Sequence, residues 1–164
     1  MNLLTLNETA SLSSNSIFHS EWQEEYPALS YNHGYIQTNL AVALHKLQKY
    51  SIVTAVTIEI KGKPYIPDIL VYPKRPLDLV HDMIQMTEMP LLAIEILSPT
   101  QGVKEMADKF EIYFQAGIQS CWLVVPFIAS VTVYAQLTQS KTFTEQQLID
   151  KKLDIHLSIA EIFS

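Results

Sequence analysis

The chain has 164 residues, 48% hydrophobic and 17% charged, enough for one domain with a sizeable core, too few for two, and unlike a disordered or fibrous protein. A formal net charge of −6, with Arg75 as the only arginine, argues against a protein that coats nucleic acid non-specifically, since phosphate contacts come from Lys and Arg. No apolar run exceeds strand length, so none spans a bilayer, and the lone cysteine, Cys121, excludes an intrachain disulfide and a Cys-rich zinc site.

Residues 1–20 are rich in Ser, Asn and Thr and lack a basic region followed by a long apolar stretch. A loosely ordered arm and a cytoplasmic protein are therefore expected. Residues 21–164 are expected to form the single domain, with a helical turn over Glu21 to Tyr26. The first firm element is a helix from about Gly34 to Tyr50, with Ile36, Leu40, Leu44 and Leu47 as its apolar stripe and Asn32 as a plausible N-cap. His33 beside it reads either as a functional residue or as a local hydrogen-bonding one.

From Ile52 the period changes to two through Val56, Ile58 and Ile60, and Lys61-Gly62-Lys63 has the look of a hairpin turn. A strand follows over Tyr65 to Tyr72, interrupted by Pro67, which has no N–H to donate and so marks a sheet edge, a strand start or a bulge. Pro73 to Glu88 reads as a loop with a short helical piece at Leu79 to Met86. Leu91 to Leu97 is a buried strand. Val103 to Ala116 is a helix with Val103, Ala107, Phe110 and Phe114 toward the core, and Gly117 is its natural C′ residue.

Cys121 to Val125 is nearly all apolar, as a central strand is, and the helix before it makes a βαβ crossover with the Leu91 strand. Val131 to Leu137 alternates as an outer strand, Thr138 to Lys141 is a turn, and Ser158 with Glu161 resembles a capping box. The fold class expected is α/β: a mixed β-sheet of five or six strands flanked by a helix on each face.

Two of these strands carry an acid where the apolar pattern should continue, Asp68 after Pro67 and Glu95 between Ile94 and Ile96. Burying an ionised carboxylate costs several kcal/mol unless it is paired or bound to a cation. Either acid alone reads equally well as a strand-end residue paired with a lysine. Both together point to a shared hard cation, Mg²⁺ or Mn²⁺, held by Asp68, Glu95 and a backbone carbonyl next to Glu95, that of Ile96. Nucleotide-binding glycine loops and the zinc-protease and esterase motifs are absent.

Asp68 in PDILVYP, Glu95 in EILSP, the spacing K-x-x-x-Y-x-x-A-G from Lys109 and a tryptophan-containing strand together resemble the PD-(D/E)XK nuclease superfamily, and in particular its Uma-type restriction endonucleases. The resemblance covers residues 30–163 and implies a restriction-endonuclease-like fold, with Asp68 and Glu95 as metal ligands in a DNA endonuclease and a homodimer as its assembly. The superfamily's lysine two positions after the second acid is Leu97 here. In the Uma-type family a lysine on the following helix stands in, matching Lys109, with Lys104 as fallback. Residue spacing alone also reads Lys109 as a surface partner of Glu105.

His33 matches a histidine found before the family's first helix, and Glu24 or Glu25 would supply the auxiliary acid. The family's D-G-E segment is missing, and Val125-Pro126 stands where it has Asp-Pro. A second reading is a catalytically inactive nuclease-fold interaction or DNA-binding module.

Overall fold

The computed structural model describes residues 30–164. The arm over 1–20, the turn at Glu21 to Tyr26 and the candidates Glu24 and Glu25 lie outside the described residues. Helix α1 runs Tyr31–Lys46, beginning and ending about three residues earlier than expected. The cap explains the start: Ser30, not Asn32, accepts the His33 N–H on its hydroxyl at 3.2 Å. Gln48, at φ +54°, turns the chain away after Leu47.

The run from Ile52 to Ile60 is two strands rather than one. Ala55, at φ +55°, breaks it into β1 (Tyr50–Thr54) and β2 (Thr57–Ile60), which enter different sheets. The hairpin after β2 is as expected. Lys61 and Gly62 both take positive φ, the signature of a tight turn matched to strand twist, and β3 (Lys63–Tyr65) returns antiparallel to β2. Pro67 then splits the expected Tyr65 to Tyr72 strand, and β4 begins only at Ile69 and ends at Pro73.

The helical piece at Leu79 to Met86 is not there. Asp78 accepts the N–H groups of Val80 and His81 on one carboxylate oxygen, a local turn that competes with helix. The short β5 (Gln85–Met86) pairs in parallel with β2. Strand β6 (Leu92–Ile96), helix α2 (Val103–Gln115) and β7 (Ser120–Val125) form the expected parallel crossover, with Ile96 opposite Val124. Gly117, at φ +99°, ends α2 in the conformation glycine adopts without strain.

The buried stripe of α2 is Met106, Phe110 and Tyr113. Val103 and Ala107, expected in the core, are exposed. Rotating the helix in this way buries its bulkiest residues and turns Lys109 and Tyr113 toward the sheet.

After a 3-10 turn at Pro126–Ile128, β8 (Ser130–Gln136) and β9 (Gln139–Phe143) extend the sheet antiparallel. The turn expected over Thr138 to Lys141 is therefore shorter, and β9 already begins at Gln139. The hairpin of β10 (Gln147–Asp150) and β11 (Ile155–Ser158) leads into α3 (Ile159–Phe163). Ser158 is its N-cap, but its hydroxyl makes no capping bond.

The main sheet has the order β1-β4-β6-β7-β8-β9, with a helix on each face as expected. Ile69, Val71, Ile94, Ile96, Trp122 and Val124 pack with α1, while Leu70, Tyr72, Ala93, Cys121 and Leu123 pack with α2. Burial on both faces is why β4, β6 and β7 read as continuous apolar runs instead of alternating ones.

Candidate functional site

Strands β4 and β6 are antiparallel, with Ile69 opposite Ile94. One residue further along each lie Asp68 and Glu95. The two acids therefore lie at the same end of two adjacent interior strands.

Glu95 is 4% exposed and points toward α2. The Tyr113 hydroxyl donates to its Oε1 at 2.7 Å, and the Lys109 ammonium lies 3.4 Å from its Oε2. Four residues separate Lys109 from Tyr113, so one helix face presents both donors to one carboxylate. Lys109 also stands 3.9 Å from Glu105. The surface pair read from spacing is thus present, but the contact with Glu95 is shorter. Lys104, the fallback, is bound to Asp108 at 2.9 Å in solvent and takes no part.

Burial pushes the Glu95 carboxyl up from 4.5 to about 7, against the opposing pull of Lys109 and Tyr113. The nearby charge of Asp68 adds to the rise. Burial also pushes the Tyr113 hydroxyl well up, with Glu95 adding to it. The tyrosine therefore stays protonated and serves as a donor.

Asp68 is held from the opposite side. Its Oδ2 accepts the Ile96 N–H at 2.7 Å, and its Oδ1 is 3.2 Å from Nε2 of His33. Gln37, one turn beyond His33 on α1, donates its amide to the Asp68 carbonyl at 2.8 Å. His33 is 1% exposed, and its Nδ1 is buried without a partner among the described residues. The hydrogen bond to Asp68 raises the His33 pKa above its ordinary value, burial opposes this, and the Ile96 main chain adds to the rise. His33, Asp68, Ile96, Glu95, Lys109 and Tyr113 thus form one connected cluster running from α1 through the sheet to α2.

Among the described residues no three His, Cys, Asp or Glu side chains stand together as a ligand set. Asp68, Glu95 and the Ile96 carbonyl would offer only oxygen donors, the kind that hard divalent cations take together with water. A carboxyl kept near neutrality by burial is also one that a cation would hold ionised. The residues present fit such an ion.

Another buried acid offers a contrast. Asp150 is 1% exposed and accepts the Ser120 hydroxyl at 2.6 Å, the Trp122 indole at 2.9 Å and the N–H groups of Lys152 and Leu153. Four neutral donors make it a structural carboxylate. A cavity of about 260 Å³ beside it, lined by Val133, Gln139 and Phe143 among others, holds none of the clustered residues. Cys121 is buried and its thiol is pushed up by that burial, as a core residue.

Sequence reasoning did not assign Tyr113 or Gln37. The signal for each was a polar residue four positions from an assigned one on the same helix, Lys109 and His33 respectively.

A mixed sheet with a helix on each face and paired acids at its interior strand ends is a restriction-endonuclease-like α/β arrangement. The chain belongs to the Uma2 family, described as "Putative restriction endonuclease", whose model matches residues 13–160. A crystal structure described as that of "a putative nuclease belonging to DUF820 from Anabaena variabilis" is similar in fold, with a TM-score of 0.70 and 22% sequence identity over 84% of this chain and 83% of that one. No curated protein matches the chain. Among the described residues no helix is long and apolar enough to cross a membrane.

Proposed function

We propose that the chain is a metal-dependent endonuclease that hydrolyses phosphodiester bonds in DNA. Asp68, Glu95 and the Ile96 carbonyl would hold Mg²⁺ or Mn²⁺, and Lys109 would act on the attacking water. The observation that supports this reading is the placement of two acids at the same end of adjacent strands, with a lysine against one of them. When bound, the cation would lower the pKa of a water and offset charge on the phosphodiester.

The chain's own residues do the rest. Lys109 orients the water by hydrogen bonding and stabilises charge that builds on the phosphoryl oxygens as the P–O bond to the leaving oxygen breaks. Tyr113 occupies Oε1 of Glu95 and leaves Oε2 facing the reaction. His33 and the Ile96 N–H fix the two oxygens of Asp68. A cytoplasmic homodimer belongs to the same proposal.

The second reading, a nuclease-fold module that binds without cutting, is favoured by Leu97 at the superfamily's lysine position and by the single arginine. Incubation with supercoiled plasmid and Mn²⁺ separates the two. The nuclease reading expects nicking that Asp68→Ala abolishes. Nicking that survives the substitution would exclude the assigned site, and none in the wild type would favour the module.

A further inference from the structure

Asp68 stands one residue outside the strand that carries it. Both ladders of β4 stop at Ile69, opposite Thr54 in β1 and Ile94 in β6, and Pro67 on the other side has no N–H to offer a ladder. A side chain fixes the peptide of Asp68 instead: Gln37 of α1, half-buried, donates its amide to the Asp68 carbonyl at 2.8 Å. The carboxylate beyond it is held by the Ile96 N–H at 2.7 Å and by His33 at 3.2 Å. His33 and Gln37 are four residues apart, so one face of α1 grips Asp68 at both main chain and side chain.

The Ile96 end of this arrangement is equally specific. Leu97 gives its N–H to the Val124 carbonyl of β7, while the Ile96 N–H ends on the Asp68 carboxylate. Its exchange with solvent therefore reports where that carboxylate stands. A packing role for Gln37 could be filled by any side chain of its size. The amide adds direction, and holding one long side chain on one carbonyl costs rotamer freedom. Direction matters most at a ligand of a small divalent cation, which accepts little departure from octahedral geometry.

We propose that Gln37 is a positioning residue, whose amide fixes the peptide of Asp68 so that the carboxylate stays in the one orientation shared with His33 and Ile96. The inference rests on the nuclease reading for what the carboxylate is held to bind, but its first test needs neither metal nor substrate. Gln37→Leu keeps the bulk without the donor, and Gln37→Glu keeps the length and sets an acceptor against the carbonyl. Asn39→Ala is the control: on the same helix, Asn39 spends its amide on the Ile162 and Ser164 carbonyls at 3.1 and 3.2 Å.

Amide hydrogen exchange is followed by NMR in EDTA, with the Ile96 rate read against that of Phe110 in the core of α2, so that a uniform loss of stability cancels. Both Gln37 variants should raise this ratio by about 2- to 10-fold, the span for weakening one hydrogen bond, and Asn39→Ala should lower the melting temperature without moving it. Mn²⁺ is then titrated by electron paramagnetic resonance. Its Kd should rise by about 10- to 100-fold in the Gln37 variants, as when a partner that holds a metal ligand is lost, and stay at the wild-type value in Asn39→Ala. Either Gln37 variant decides the result if the other does not fold. An unchanged Ile96 ratio would overturn the proposal, and so would equal effects from Asn39→Ala, which would make Gln37 one more support of the helix.

Failure of the two ideas is distinguishable. A raised Ile96 ratio in a protein whose wild type binds no Mn²⁺ removes the metal-dependent reading and keeps Gln37 as the residue that positions Asp68. Mn²⁺ binding that Asp68→Ala abolishes and Gln37→Leu leaves intact removes the positioning role alone.

Discussion

Glu95→Gln should make the metal-free protein more stable at alkaline pH, although it removes a side chain at the centre of the candidate site. Burial holds the Glu95 carboxyl at about 7 in the folded state against an ordinary 4.5. Between those values the folded chain keeps a proton that the unfolded chain has released, so stability falls as pH rises. Over a window of about 2.5 pH units, at about 1.4 kcal/mol for each, the loss is roughly 3 kcal/mol. It is complete above the folded value and absent below about pH 4.5.

Glutamine keeps an oxygen for the Tyr113 hydroxyl and carries no charge to desolvate, so its curve lacks this fall. His33, whose pKa is also raised when folded, adds stability below 6.5 that is lost as pH rises through its folded value, but it does so in both proteins and largely cancels in the difference. The assay is urea unfolding in EDTA from about pH 5 to about pH 8. Parallel curves, or a variant less stable than wild type at about pH 8, would refute the view that Glu95 is a destabilised carboxylate waiting for a partner. Mn²⁺ at one hundred times its Kd should return about 2.7 kcal/mol to wild type, and much less to the variant.

Tyr113→Phe keeps the ring and removes one donor to Glu95, so unfolding should cost about 1 kcal/mol less. Because Tyr113 holds the Glu95 pKa down, the acidic limb of the Mn²⁺-dependent cleavage profile should shift to higher pH. Lys109→Ala should lower kcat by about 100- to 1,000-fold while Mn²⁺ still stabilises the fold in a melting assay. Lys104→Ala, in solvent, should change neither quantity. Asp150→Ala leaves the buried Trp122 indole and the Leu153 N–H without their acceptor and should destabilise by about 2 to 5 kcal/mol in urea unfolding, with the stabilisation by Mn²⁺ unchanged.

Most of the architecture was legible because it rests on local patterns. The apolar runs of β4, β6 and β7, the α2 crossover and the Gly117 stop each follow from composition and one special residue. What was missed came from backbone turns with no glycine or proline to announce them. Ala55 takes positive φ and splits a run in which only Thr54 interrupts the alternation, and Ser30 takes the place of Asn32 as the cap. The stripe of α2 was misphased because Val103 and Ala107 are apolar but small, and the larger Met106 and Tyr113 decide which face is buried.

For the site, an acid inside an apolar run was enough to find Asp68 and Glu95, since such positions are rarely charged without a partner. It could not reveal that Asp150, also buried, is fully satisfied by Trp122 and Ser120. Distinguishing a structural carboxylate from a candidate ligand requires the donors around it, and those come from strands far apart in sequence. Lys109 was reached through resemblance, and its contact with Glu95 depends on the helix phase that periodicity got wrong.

The most direct measurement is anomalous diffraction from crystals soaked in Mn²⁺. A single peak within about 2.2 Å of one oxygen from each of Asp68 and Glu95, and absent in Asp68→Ala crystals, is the predicted result. No peak between those carboxylates, with the protein's other sites saturated, would contradict the claim that they hold one shared cation.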